Sequence, residues 1–130
     1  MRALGLDLGS KRVGVAVSDS DGRVATPVEV LQRTGDRKAD HRAVSALVEE
    51  WEAAVVVVGI PYSLDGTLGP MGRSMTAEAA DLAALLSVPV ETYDERLTTV
   101  TAERSLREQD VRGRGRRRVV DMVAAAVMLQ

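Results

Sequence analysis

The chain has 130 residues, 45% of them hydrophobic and 28% charged, which is one globular domain's worth of protein and neither a disordered nor a membrane composition. With no Cys and only one His, His41, disulfides, thiolate sites and multi-histidine zinc sites are excluded, so any metal must sit among oxygen ligands. No Phe, one Trp (Trp51) and two Tyr (Tyr62, Tyr93) leave the core to Val, Ala and Leu and supply base-stacking platforms poorly.

The net charge of −2 argues at first against a nucleic-acid partner, but it is unevenly spread. Residues 96–118 hold eight Arg and three acids, a local +5, and the rest of the chain carries −7. No stretch of about 18 uncharged apolar residues occurs and the N-terminus has no signal-peptide layout, so a soluble, cytoplasmic protein is expected.

The first thirty residues read as strands. Ala3–Leu8 alternates Leu4, Leu6 and Leu8 against Gly5 and Asp7; residues 13–18 alternate Val13, Val15 and Val17 against Gly14 and Ala16; residues 22–31 are rich in Val. Gly9-Ser10 and Asp19-Ser20-Asp21-Gly22 are turn chemistry, which predicts an antiparallel meander.

The period then changes. Val44, Leu47, Val48 and Trp51 fall on one helical face and predict a helix over 37–52. Val55-Val56-Val57-Val58 is a β-branched run of the kind buried on both faces of a sheet, and Gly59-Ile60-Pro61 ends it. Met71, Met75, Ala79, Leu82 and Leu86 line a second helix with Pro70 in its first turn. Residues 89–93 form a fifth strand, and 98–108 and 116–129 two more helices around a mobile, glycine-bearing segment, 109–115. The expected architecture is α/β, a five-stranded mixed sheet in which the later strands return parallel to the first through helical crossovers, in a single domain spanning 1–130.

Most acids fit a solvated surface, among them Glu49, Glu50 and Glu52 at a helix end. Asp7 is different, standing among the leucines of the first predicted strand, where an unpaired carboxylate costs several kcal/mol. It either faces solvent beside Lys11 or Arg12, or lines a functional site. Asp121 is the only charge in the run 119–129, and its neighbours one helical turn back are Arg117 and Arg118, so an intrahelical ion pair is the alternative to a functional role. Asp94-Glu95 follows the last strand, at a sheet edge where sites are assembled. Converging carboxylates of this kind hold Mg²⁺ or Mn²⁺, and a pair of such ions serves phosphodiester hydrolysis.

The segment from Leu4 to Asp19, with Leu6-Asp7-Leu8-Gly9 and Val13-Gly14-Val15-Ala16, resembles the opening motif of the YqgF (RuvX) family of proposed pre-16S ribosomal RNA nucleases, relatives of Holliday junction resolvases. Val57-Val58-Gly59-Ile60-Pro61 with Asp65-Gly66-Thr67, then Asp94-Glu95-Arg96-Leu97-Thr98-Thr99, then Val120-Asp121 with Ala124-Ala125, are similar to its later motifs in the same order. The resemblance implies an RNase H-like fold and a cytoplasmic nuclease acting in ribosome biogenesis. It implies that Asp7, Glu95 and Asp121 are the catalytic, metal-binding acids for two Mg²⁺ or Mn²⁺ ions; strand alternation alone does not choose between Asp94 and Glu95. Stretch 74–79 departs from the family by lacking an aromatic, which reads as a packing change.

Lys11, Arg12, Arg96, Arg114, Arg117 and Arg118 are the candidates for contacting backbone phosphates, with a solvated flexible loop as the other reading of the late Arg cluster. His41 is expected on a helix surface. The partner is then a nucleic acid, structured RNA or branched DNA, including ribosomal precursor particles, bound by a monomer or a homodimer. Three rivals stand beside this reading: a resolvase cutting DNA junctions, a non-catalytic nucleic-acid-binding module, and a nucleotide-binding hairpin like that of the sugar-kinase ATPases, which work with far more chain.

Overall fold

The computed structural model describes residues 2–19, 24–97, 120, 122–124 and 126. Five strands form one sheet in the order β3-β2-β1-β4-β5. Strands β1 (Ala3–Leu8), β2 (Arg12–Ser18) and β3 (Ala25–Gln32) make the antiparallel meander, and β4 (Val55–Ile60) and β5 (Val90–Asp94) add in parallel on the other side of β1. Strand β3 starts later than its Val content predicts and lies at the sheet edge, the position that tolerates Pro27 in a strand.

Alternation decides what each face buries. Leu4, Leu6 and Leu8 of β1, Val13, Val15 and Val17 of β2, and Val56, Val58 and Ile60 of β4 point into the main core, all nearly inaccessible. Each such aliphatic side chain contributes about 1.5–3 kcal/mol on burial. Helices α1 (Arg37–Glu50) and α2 (Pro70–Leu85) cover this face with Val44, Leu47 and Val48 and with Met75, Ala79 and Leu82. The α1 N-terminus is capped by Asp36, whose side chain accepts from the Lys38 N–H. The helix stops at Glu50, two residues short of the expected end, because Trp51 caps it and Glu52 turns left-handed at φ 52°.

The opposite face carries Ala3, Val55, Val57 and Tyr93, with Val120, Val123 and Ala124 packed on them. Those three are helical, as are Met122 and Ala126; the rest of the helix expected over 116–129 lies outside the described residues. The helix expected over 98–108 and the segment 109–115 lie outside the described residues. Among the described residues no helix is long and apolar enough to cross a membrane.

One expectation is reversed. His41 lies in the interior at 6% exposure, one turn before Val44 on the buried face of α1, with Nε2 2.7 Å from Glu78 Oε2. Glu78 is itself 3% exposed and sits between Met75 and Leu82 on the inner face of α2. The aromatic-free stretch 74–79 is therefore more than a packing change, since it sends a carboxylate inward.

Candidate active site

Asp7 is the fifth residue of β1 and pairs with Gly14 of β2. By alternation it shares a face with Gly5 and with Ala3, and Gly59 follows the β4 residue that pairs with Leu6. The sheet around Asp7 is thus paved with glycines, a floor without side chains on which a carboxylate stands open. The side chain is half-buried, and that burial pushes its carboxyl above the usual range.

Glu95 opens a 3₁₀ turn directly after β5. Burial raises its carboxyl first, and the negative charges of Asp7 and then Asp94 raise it further. Strand β5 is separated from β1 by β4, and Glu95, in the turn past the end of β5, feels the negative charge of Asp7 across that gap. Carboxylates are the donors that a hard divalent cation takes, and its charge would relieve the repulsion between these two. Their chemistry fits Mg²⁺ or Mn²⁺. Asp121 lies outside the described residues, among which no group of three metal-ligating side chains comes together.

The neighbouring acid is employed differently. Asp94 accepts from Arg96 Nη2 at 2.6 Å, from Nε at 3.1 Å and from the Arg96 backbone N–H at 3.0 Å, which holds its carboxyl below the usual range. The same guanidinium donates from Nη1 to the Ser63 carbonyl at 3.1 Å and lies 5.4 Å over the Tyr62 ring. Arg96, a candidate phosphate contact from sequence, has these donors committed inside the protein. It ties the β4–α2 loop to the turn bearing Glu95. That loop is folded on itself by Asp65, which accepts from the Thr67 N–H and hydroxyl, and by Gly66 at φ 88°. Its Leu64 side chain stands in solvent.

Lys11 ends the turn between β1 and β2 and Arg12 opens β2, both exposed. A groove of about 470 Å³ is lined by Asp7, Gly9, Ser10, Lys11, Arg12, Gly14 and Val30, so two cations and the β1 acid share one opening. The turn is tight: a Cβ on Gly9 would meet the Arg12 carbonyl oxygen at 2.6 Å. Arg114, Arg117 and Arg118 lie outside the described residues.

Sequence reasoning missed a second cluster on the other side of this turn. Arg33, just past β3, donates to Glu78 through Nη1 at 2.6 Å and Nη2 at 2.9 Å. Burial pushes the Glu78 carboxyl up, but hydrogen bonds from Arg33 and His41 and the Arg33 charge overcome it and bring the value down to about 2. Asp40 lies 3.9 Å from the same guanidinium and accepts from the Thr34 N–H and hydroxyl. The signal was present in the periodicity, because Asp40, His41 and Glu78 occupy the apolar faces of their helices.

The profile of the RuvX family, described as Holliday junction resolvase, matches residues 1–130. A protein of Rhodococcus opacus named "Putative pre-16S rRNA nuclease" is 47% identical, with 99% of this chain aligned to 75% of that one. One of the same name from Anaeromyxobacter is also 47% identical, over 100% of this chain and 94% of that one. Among solved structures, Thermus thermophilus RuvC in complex with a Holliday junction substrate is similar at TM-score 0.60 and 15% identity, over 98% of this chain and 90% of that one. The shared fold is RNase H-like. A hexokinase of the ROK type from the same organism gives TM-score 0.53 at 22% identity, over 82% of this chain and 38% of that one, so the hairpin likeness to sugar kinases is a likeness of fold.

Proposed function

This chain belongs to the RuvX family, and we propose that it is a metal-dependent endonuclease that hydrolyses phosphodiester bonds in structured RNA, in maturation of the 5′ end of pre-16S ribosomal RNA. The observation that carries the reading is the half-buried Asp7 lining the groove that bears Lys11 and Arg12, supported by the raised carboxyls of Asp7 on β1 and of Glu95 in the turn after β5.

In this reading Asp7, Glu95 and Asp121 hold one or two Mg²⁺ or Mn²⁺ ions. When bound, such ions activate water and neutralise charge on the scissile phosphate and leaving oxygen. The chain's own part is positional. Asp7 is fixed by its ladder to β2, and Glu95 by the Asp94–Arg96 brace behind it. Lys11 and Arg12 draw the sugar-phosphate backbone into the groove, together with Arg114, Arg117 and Arg118 from the basic late segment. Arg96 acts by shaping the loop over the site. No side chain need serve as a strong general base, and the one histidine is occupied by Glu78.

The test is cleavage of a precursor 16S 5′ fragment and of a four-way DNA junction in Mg²⁺ or Mn²⁺, comparing the unmodified chain with Asp7→Ala and Asp121→Asn. RNA cutting lost in both variants supports the proposal. Cutting of junctions alone transfers the site to resolvase chemistry. No cutting of either substrate leaves a non-catalytic binding module.

A further inference from the structure

Net stability alone does not account for the Arg33 cluster. A buried ion pair contributes little net stability, and an apolar pair of similar volume often does as well or better. What the cluster does is grip the turn that follows Asp7. The Arg33 backbone N–H donates to the Lys11 carbonyl at 2.9 Å and its Nε donates to the Gly9 carbonyl at 3.0 Å, so one residue holds both ends of the turn. Its other guanidinium nitrogens are fixed by Glu78 of α2, which His41 of α1 orients in turn. A turn with no room for a Cβ at Gly9 is thereby anchored to β3 and, through side chains, to both helices of the main core.

The geometry points to Arg33, oriented by Glu78 and His41, as a positioning residue for substrate: it presents Ser10, Lys11 and Arg12 to the nucleic-acid backbone at a set distance from Asp7. This rests on the nuclease reading and deepens it, by locating the control of substrate binding in a network that touches neither metal nor phosphate. A guanidinium is suited to the task because its planar fork can satisfy a carboxylate with two nitrogens while the third reaches a carbonyl; an ammonium cannot do both.

The experiment uses the full chain with Arg33→Lys, and with Arg33→Met combined with Glu78→Leu. Amide hydrogen exchange at residues 9–12 and steady-state cleavage of the precursor RNA fragment are measured for each. Positioning predicts faster exchange confined to the turn, KM raised by about 10–100-fold, the range found when groups behind a functional site are removed, and a much smaller change in kcat. The apolar pair should fold cooperatively, with a lower Tm because His41 loses its buried partner, and still show the KM defect at a temperature where it is fully folded, which a merely structural network would not produce. Where the apolar pair does not fold, Arg33→Lys alone decides. Unchanged turn exchange, or an unchanged KM with a loosened turn, overturns the proposal. If the unmodified chain cuts no RNA, the nuclease reading fails separately, and the proposal then stands or falls on whether turn exchange and RNA affinity by fluorescence anisotropy change together.

Discussion

Neutralising Glu78 should cost stability in a way that depends on pH with a definite sign. Its carboxyl, ordinarily at 4.5, is brought down to about 2 in the fold, a difference worth about 3 kcal/mol to the folded state when the group is ionised in both states. A depressed folded value means that this contribution is complete above the unfolded value. It therefore declines as pH falls below about 4.5 and is spent near 2. Asp7 and Glu95, both raised, act in the opposite sense, so the whole-protein curve mixes the effects. The useful quantity is the difference between the unmodified chain and Glu78→Gln, because Gln has the shape of a protonated Glu. Urea unfolding followed by circular dichroism should show a gap of about 3 kcal/mol at pH 7, on the order of 10 °C in Tm for a domain of this size, closing steadily below pH 4.5. A gap that stays constant with pH, or one under about 0.5 kcal/mol at neutrality, would refute the pairing of Glu78 with Arg33 and His41 as the cause.

Other consequences can be checked with single substitutions. Asp7→Asn removes a half-buried charge that burial disfavours, so in metal-free buffer its Tm should equal or exceed that of the unmodified chain; the stabilisation conferred by added Mn²⁺ should shrink, and a lower metal-free Tm would argue that Asp7 is paired for stability. Gly9→Ala forces a Cβ onto the Arg12 carbonyl, and RNA affinity by anisotropy should fall by about tenfold while far-UV dichroism is unchanged; native affinity would show that the turn is not held tightly. Arg96→Ala releases the Ser63 carbonyl and the Asp94 carboxylate, so limited proteolysis should open a new cut within residues 62–68, with little change in global stability because the pair is at the surface. Persistence of the intact loop would contradict its tethering through Arg96.

Where periodicity and turn chemistry act locally, the fold was readable. The leucine alternation around Asp7, the glycine-marked turn after it and the four-valine run of β4 each name an element, and the structure places all three at the centre of the sheet. Helix α1 was legible from Val44, Leu47 and Val48. His41 was misplaced because a lone histidine at the start of a helix reads as polar surface until its partner is known, and Glu78 lies 37 residues away. Arg33 is 45 residues from the same carboxylate, so neither charge signals the other along the chain. Strand alternation does not separate Asp94 from Glu95; the pairing of Asp94 with Arg96 is local in sequence, yet the contact that fixes Arg96 on the Ser63 carbonyl spans 33 residues. Local patterns specify strands and helices; buried ion pairs are products of the tertiary arrangement and leave only a faint trace, a charge on an apolar face.

The claim that Asp7 and Glu95 together form the metal-binding centre is tested most directly by single-turnover cleavage of the precursor RNA fragment at saturating Mg²⁺, with Asp7→Asn, Glu95→Gln and Asp94→Asn side by side. Asp7→Asn and Glu95→Gln, which remove two of the three proposed ligands, should each lose about 10³-fold or more in rate, equivalent to several kcal/mol of transition-state stabilisation. Asp94→Asn should lose far less, since its work is to brace Arg96. Full activity in Glu95→Gln with collapse in Asp94→Asn would contradict this assignment of the centre.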